Sequence, residues 1–160
     1  MRWEEVCADR SLQNLPYRIE LNREGLIVMS PAKNRHAIRQ GRILRILLRL
    51  MGDIGEAFPE CPIETDDGTK VADVVWISPQ RYAQVKNQDV CFIAPEICIE
   101  VISESNTERE MQFKTQLYLA AGAEEVWLCD ATGALRFFSS EGQMVASRIV
   151  PSFPLAVPID

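Results

Sequence analysis

Two carboxylates stand where charge is costly. In Pro95-Glu96-Ile97-Cys98-Ile99-Glu100-Val101-Ile102-Ser103, the β-branched neighbours of Glu100 call for a buried strand. In Lys70-Val71-Ala72-Asp73-Val74-Val75-Trp76-Ile77, strand alternation groups Asp73 with Val71, Val75 and Ile77, and Ala72, Val74 and Trp76 on the other face. Asp73 therefore lies inside an apolar strand whichever face is buried. An unpaired buried carboxylate is expensive. Two of them without a local cation are best explained by a divalent metal between them.

A histidine and a lysine add to the set. At ~100° per residue, His36, Gln40, Ile43, Leu47 and Leu50 form one stripe of a helix over 30–51, with His36 near the middle of its apolar face. On a helix over 106–122, Met111, Lys114, Leu117, Tyr118 and Ala121 fall together, so Lys114 points to the core side. Each residue has a plainer reading. His36 fits a satisfied core histidine, and Lys114 fits a pair with Glu110 one turn earlier or a snorkelling stem. The strand acids fit ends that reach solvent. Taken together, two inward acids and an inward lysine compensate one another. Arg35, Arg39, Arg42 and Arg49 occupy an arc of about 80° on the first helix, preceded by Lys33. That arc is either a solvated face or a phosphate-binding stripe.

The elements that must hold these residues are legible in outline. The spacing predicts a short helix over 3–9 and a hairpin of 17–21 and 26–29. Ser30 caps a first long helix, with Pro31 at its first position and Gly52 as its stop. Strands follow at 62–65 and 70–77 around Asp66-Asp67-Gly68, then loop with a helical turn over 78–94, then a strand over 96–102. Ser105-Asn106-Thr107-Glu108 reads as a capping box for a helix ending near Gly122. Strands at 126–129, 135–138 and 144–149 complete a mixed α/β layout. Its central sheet has at least one crossover helix between 100 and 126.

The totals narrow the chemistry further. A chain of 160 residues, 47% of them hydrophobic, suits a single domain over 1–160. The five cysteines lack C-x-x-C spacing and read as free, mostly buried thiols. With one histidine, His/Cys zinc sites are excluded in practice, and any metal is held by oxygen. No stretch is apolar enough to span a membrane. Met1–Arg10 carries charges where a signal peptide needs an apolar run, so a cytoplasmic location is expected. The net charge of -6 argues mildly against a dedicated nucleic-acid binder without excluding a local basic patch. There is no G-x-S-x-G elbow, P-loop or G-x-G-x-x-G.

An ordered series of motifs resembles the Uma-type restriction endonuclease family of the PD-(D/E)XK nuclease superfamily. It comprises Y-R-I-E-L-x-R-E-G-L-I-V-M-S-P from Tyr17, His36, A-D-V-V at 72–75, P-E-I-C-I-E-V-I-S at 95–103, K-x-x-x-Y at 114–118 and A-G-A-E-E-V-W-L-C-D at 121–130. The similarity runs from about 17 to 150. It implies a restriction-endonuclease-like core, a central mixed sheet flanked by helices. It also implies Mg²⁺- or Mn²⁺-dependent hydrolysis of DNA and a homodimer to reach two strands; the stripe of Arg35, Arg39 and Arg42, read from helix spacing, would then contact the phosphate backbone. Asp73, Glu100 and the Val101 carbonyl would hold metal, Lys114 would orient water or stabilise charge, and His36 would contact the phosphate or a metal-bound water. Glu20 matches a further acid of the family, although its alternation with Tyr17, Ile19 and Leu21 equally suits solvent. Two positions depart from the pattern: Ala72 replaces the proline before the aspartate, and Ile102 replaces the lysine two after the glutamate. The family's alternative lysine corresponds to Lys114. A nuclease-like module that binds nucleic acid or protein without turnover is the second expectation.

Overall fold

The computed structural model describes residues 1–31 and 33–160. After α1 (Trp3–Ala8), β1 (Tyr17–Leu21) and β2 (Ile27–Pro31) form an antiparallel hairpin. α2 (Asn34–Met51) leads into a long antiparallel pair, β3 (Glu56–Thr65) and β4 (Gly68–Ile77). α3 (Pro79–Val85) and β5 (Ile97–Val101) follow, then α4 (Glu108–Ala120), β6 (Glu125–Cys129), β7 (Leu135–Ser139) and β8 (Gly142–Met144). The main sheet has the order β3-β4-β5-β6-β7-β8. Its pair β5–β6 is parallel and needs a crossover, which α4 supplies as expected.

The sheet separates two apolar clusters. Val75, Ile77, Cys98, Met111 and Tyr118 belong to the one that takes in α4. Val74, Ile97, Ile99, Trp127 and Phe137 belong to the one that takes in Ile43 and Leu47 of α2 and the C-terminal Val157. Cys61, Cys91, Cys98 and Cys129 are buried free thiols and Cys7 is exposed.

Four expected boundaries move. β3 begins at Glu56 instead of 62 and pairs with β4 from there onward. Ser30 and Pro31 do not start α2; they end β2 opposite Arg18 and Tyr17. A proline's fixed φ serves the end of an edge strand as well as a helix start. Ala32, which fell in the expected helix, lies outside the described residues. The capping box of α4 is Thr107 with Glu110, because the Ser105 hydroxyl is engaged with Ser103 and Glu108 pairs with Arg136. The last strand stops at Met144 instead of running to Ile149. Glu125 draws that segment off the sheet by accepting hydrogen bonds from Ser147 Oγ at 2.6 Å and Arg148 N at 2.6 Å.

The β1–β2 hairpin is fixed against β4 at one close approach. Gly68 has φ +82, and a Cβ there would lie 2.4 Å from the Asn22 carbonyl oxygen. Lys70 Nζ donates to Leu21 O at 3.0 Å in the same place. This contact presents one face of β1 to the acids of the main sheet.

Candidate active site

The strands β4 and β5 pair as far as Val74 and Ile99 and then part. The next residue on each is Asp73 and Glu100, so the two buried acids face each other where the sheet opens. Val101 N donates to Asp73 Oδ2 at 2.6 Å across the gap instead of pairing with backbone. Asp73 is 0% and Glu100 3% exposed. The opening widens into a cleft of ≈ 670 Å³, lined among others by Tyr17, Lys33, His36, Glu100, Val101 and Phe113.

Each acid has a different set of partners. His36 Nε2 lies 3.1 Å from Asp73 Oδ2, and Arg18 contacts Asp73 Oδ1. Oδ1 is buried and accepts no hydrogen bond from any described residue. Burial works to raise the Asp73 pKa, but the hydrogen bond from His36 and the charges of Arg18, His36 and Lys114 hold it below the ordinary value. In return the Asp73 hydrogen bond raises the His36 pKa, against the effect of its partial burial.

Glu100 Oε1 accepts from Tyr118 OH at 2.6 Å and lies 3.0 Å from Lys114 Nζ. Burial, with the charges of Asp73 and Glu20, pushes its pKa up to about 8 despite Lys114 and Arg18. Lys114 is itself desolvated, which alone would lower its pKa; Glu100, Glu20 and Asp73 outweigh that and hold it above the ordinary lysine value. Burial, with the charges of Glu100 and Glu20, keeps Tyr118 a protonated donor.

The expected residues therefore meet, with one addition and one division. Asp73, Glu100, Lys114 and His36 converge, and Val101 supplies its amide to the group. Lys114 does not pair with Glu110. It lies 2.9 Å from Glu20 Oε2, so Glu20 faces the site and not solvent, and the same oxygen accepts from Val71 N at 2.6 Å. The arginine arc divides. Arg39 is buried and donates through Nε to Val157 O at 3.2 Å, and Arg42 donates to Pro158 O at 2.6 Å. These two fasten the C-terminal segment, whereas Arg35 is exposed.

Ala72 is buried and opposite Cys61 in β3. Ile102 packs against the α4-side cluster, so the position after Val101 holds an apolar side chain and the site's ammonium comes from α4.

Arg18 and Glu60 escaped the sequence reading. Arg18 Nε and Nη2 grip Glu60 at 3.2 and 2.7 Å. Gln40 Nε2 donates both to Glu60 Oε1 and to Asp73 O, each at 2.8 Å. Glu60 lies at φ 56, a left-handed conformation uncommon outside glycine and often found at functional sites. The available signal was Arg18 and Glu20 two apart on one strand, which share a face.

The Uma2 family profile, described as "Putative restriction endonuclease", matches residues 3–155. The chain belongs to the Uma2 family. Its backbone resembles that of a "putative nuclease belonging to DUF820" from Anabaena variabilis, with a TM-score of 0.74 and 20% identity over 99% of this chain and 89% of that one. At that identity the likeness speaks for the fold. No curated protein matches the chain. Among the described residues no helix is long and apolar enough to cross a membrane.

A divalent ion, which restriction-endonuclease-like families generally use, would find a partial ligand set. No cluster of three or more His, Cys, Asp or Glu groups able to hold one exists among the described residues. Mg²⁺, however, is commonly held by one or two carboxylates, with water and substrate phosphate completing its shell. Asp73 Oδ1, buried and touched by the Arg18 guanidinium alone among the charged side chains described, and Glu100, whose contacts with Tyr118 and Lys114 are both on Oε1, fit that requirement.

Proposed function

We propose that this Uma2 protein is an endonuclease that hydrolyses DNA phosphodiester bonds with Mg²⁺ or Mn²⁺ held by Asp73, Glu100 and the Val101 carbonyl. The observation that carries this reading is the pair of buried acids facing each other where β4 and β5 part, with a lysine 3.0 Å from one of them. The bound ion would supply Lewis-acid polarisation of the phosphate and a more acidic attacking water.

The chain's own residues have separable tasks. Tyr118 fixes Glu100 in one rotamer through its hydroxyl. Lys114, anchored between Glu20 and Glu100, keeps its proton and presents positive charge to the developing negative charge on phosphate. His36 is held by Asp73 and, being protonated more readily than an ordinary histidine, offers a second donor toward the phosphate. Lys33 at the rim and exposed Arg35 on the first turn of α2 contact the backbone beyond it. One such site cuts one strand, and a homodimer would cut both.

The test is cleavage of supercoiled and linear DNA by the purified protein with Mg²⁺ or Mn²⁺, compared with Asp73→Asn. Divalent-dependent nicking by the wild type, reduced on the order of 10³-fold in the variant, supports the reading on the scale expected for loss of one member of a catalytic unit. Equal rates in the two proteins, or a wild type that neither cuts nor binds the ions, would sink it.

A further inference from the structure

We propose that Arg18 is the displaceable counter-ion of the metal position, pairing with Asp73 until a divalent cation binds there and then yielding it while Glu60 keeps the guanidinium in the cleft. This inference rests on the metal-dependent reading above and names a residue that reading does not use.

The geometry at Asp73 singles out one oxygen. Oδ2 is committed to Val101 N and His36. Oδ1 accepts no hydrogen bond and touches Arg18 alone among the charged side chains described. A divalent cation approaching Asp73 meets the guanidinium at Oδ1, the oxygen that neither Val101 N nor His36 occupies. Two positive charges at one buried oxygen repel each other, so loading favours movement of Arg18 away from it.

Arg18 has somewhere to stay when it moves. Its fork holds Glu60 through two N–H groups, and Glu60 is braced by Gln40. Glu60 is half exposed at the cleft, and both residues line it. Glu60, at a left-handed φ of 56, falls where the β3–β4 register skips between Pro59–Val74 and Cys61–Ala72, the level of Asp73. An arginine suits this double duty because its planar fork can grip one carboxylate and still aim an N–H elsewhere. Released from Asp73 and tethered to Glu60, the guanidinium faces the space that a substrate phosphate would enter. Lys114 does not compete in the same way, since it shares Glu100 Oε1 with Tyr118 and is also held by Glu20.

Mn²⁺ binding to the full chain, followed by the EPR signal of the free ion, tests the competition. Arg18→Gln is expected to bind Mn²⁺ ~10-fold more tightly than wild type, within the range of coupling between competing ligands. In the presence of Mn²⁺ the same variant is expected to bind a phosphorothioate duplex several-fold more weakly. An arginine that only held the fold would not give these opposite signs, and the Arg18 Nε–H signal of the wild type, followed by NMR, separates displacement from loss of charge alone. Equal or weaker Mn²⁺ affinity in Arg18→Gln overturns the proposal and leaves the metal-dependent reading standing. Tighter Mn²⁺ with unchanged duplex affinity overturns the tethered phosphate contact. If neither protein binds Mn²⁺, the metal-dependent reading falls and takes this inference with it.

Should Arg18→Gln fail to fold, the wild type answers by NMR during a Mg²⁺ titration. The Val101 amide, which donates to Asp73, reports loading, and the Arg18 Nε–H signal is expected to move with the same midpoint. A Val101 shift with a stationary Arg18 signal refutes displacement; no shift at either position refutes metal binding at Asp73.

Discussion

Glu100 and Glu125 sit on the neighbouring parallel strands β5 and β6, 3% and 2% exposed, and are held in opposite ways. Glu125 accepts from Trp127 Nε1, Ser147 Oγ, Arg148 N and Ile149 N, at 3.1, 2.6, 2.6 and 3.3 Å. Both its oxygens are saturated, and its work is to anchor the segment after β8. Glu100 has one hydroxyl and one ammonium, both on Oε1, and lies among other acids. Equal burial therefore does not mean equal role. A buried carboxylate surrounded by its own donors is a fastener, whereas one left short of them has capacity for a ligand.

Replacing each acid by its amide should separate the two most sharply. Glu100→Gln should lower divalent-dependent cleavage on the order of 10³-fold. Its melting temperature should hardly change, because the carboxyl is already biased toward its neutral form. Glu125→Gln should do the reverse. Loss of acceptor capacity for buried N–H groups costs about 2 kcal/mol, or roughly 4–8 °C for a chain of this size, with cleavage unchanged at a temperature where both proteins are folded. Parallel activity and melting measurements check the pair, and matching profiles for the two variants would dissolve the distinction.

Lys114→Met keeps the aliphatic stem and removes the ammonium that Glu20 and Glu100 share. Cleavage should fall ~10²-fold, the scale for losing one preorganised donor to transition-state charge. Retained activity would mean that the lysine only neutralises the two acids.

The pH dependence of stability offers a gentler probe of the same contrast. Between the ordinary 4.5 and the folded value of about 8, Glu100 binds more protons in the folded than in the unfolded chain. Stability should accordingly fall as pH rises through that window. His36 has the same sign: its raised folded pKa gives stability that is complete below 6.5 and lost as pH climbs through the higher value. Denaturant unfolding from pH 4.5 to 9 should thus show a downward slope. Glu100→Gln should abolish the part below 6.5 and shrink the rest to the histidine contribution.

How much of this could be read from the chain depends on whether a residue's direction is set locally. Asp73 and Glu100 break the period of strands whose burial is evident from their neighbours, and Lys114 and His36 break helical stripes, so all four pointed inward before any fold was known. The crossover helix was legible for the same reason. Arg18 was not, and the direction of Glu20 stayed open, because both depend on how the hairpin docks at Gly68, a long-range contact without a local signature. Glu60 takes a backbone conformation that its residue type does not announce. The end of β8 was misplaced because Glu125, 22 residues from Ser147 in sequence, decides it.

The arginine arc of α2 shows the same limit and supplies the smallest effect. Periodicity put Arg35, Arg39 and Arg42 on one face but could not say what covers that face. Val157 and Pro158 cover the inner part of it, taking hydrogen bonds from Arg39 and Arg42. Val157 N in turn donates to Gly133 O at 2.7 Å, and Leu135 N to Leu155 O at 2.9 Å, so the C-terminal segment closes over β7. Arg39→Ala should therefore cost about 1.5 kcal/mol, the low end for a hydrogen bond with a charged partner, with DNA affinity nearly unchanged. Arg35→Ala should leave the melting temperature alone and reduce the salt dependence of DNA binding by about one unit of slope, as loss of one phosphate contact does. Titrating both variants with the same duplex at several salt concentrations compares them directly. Equal losses of affinity would return Arg39 to the DNA surface and leave the C-terminal segment without its anchor.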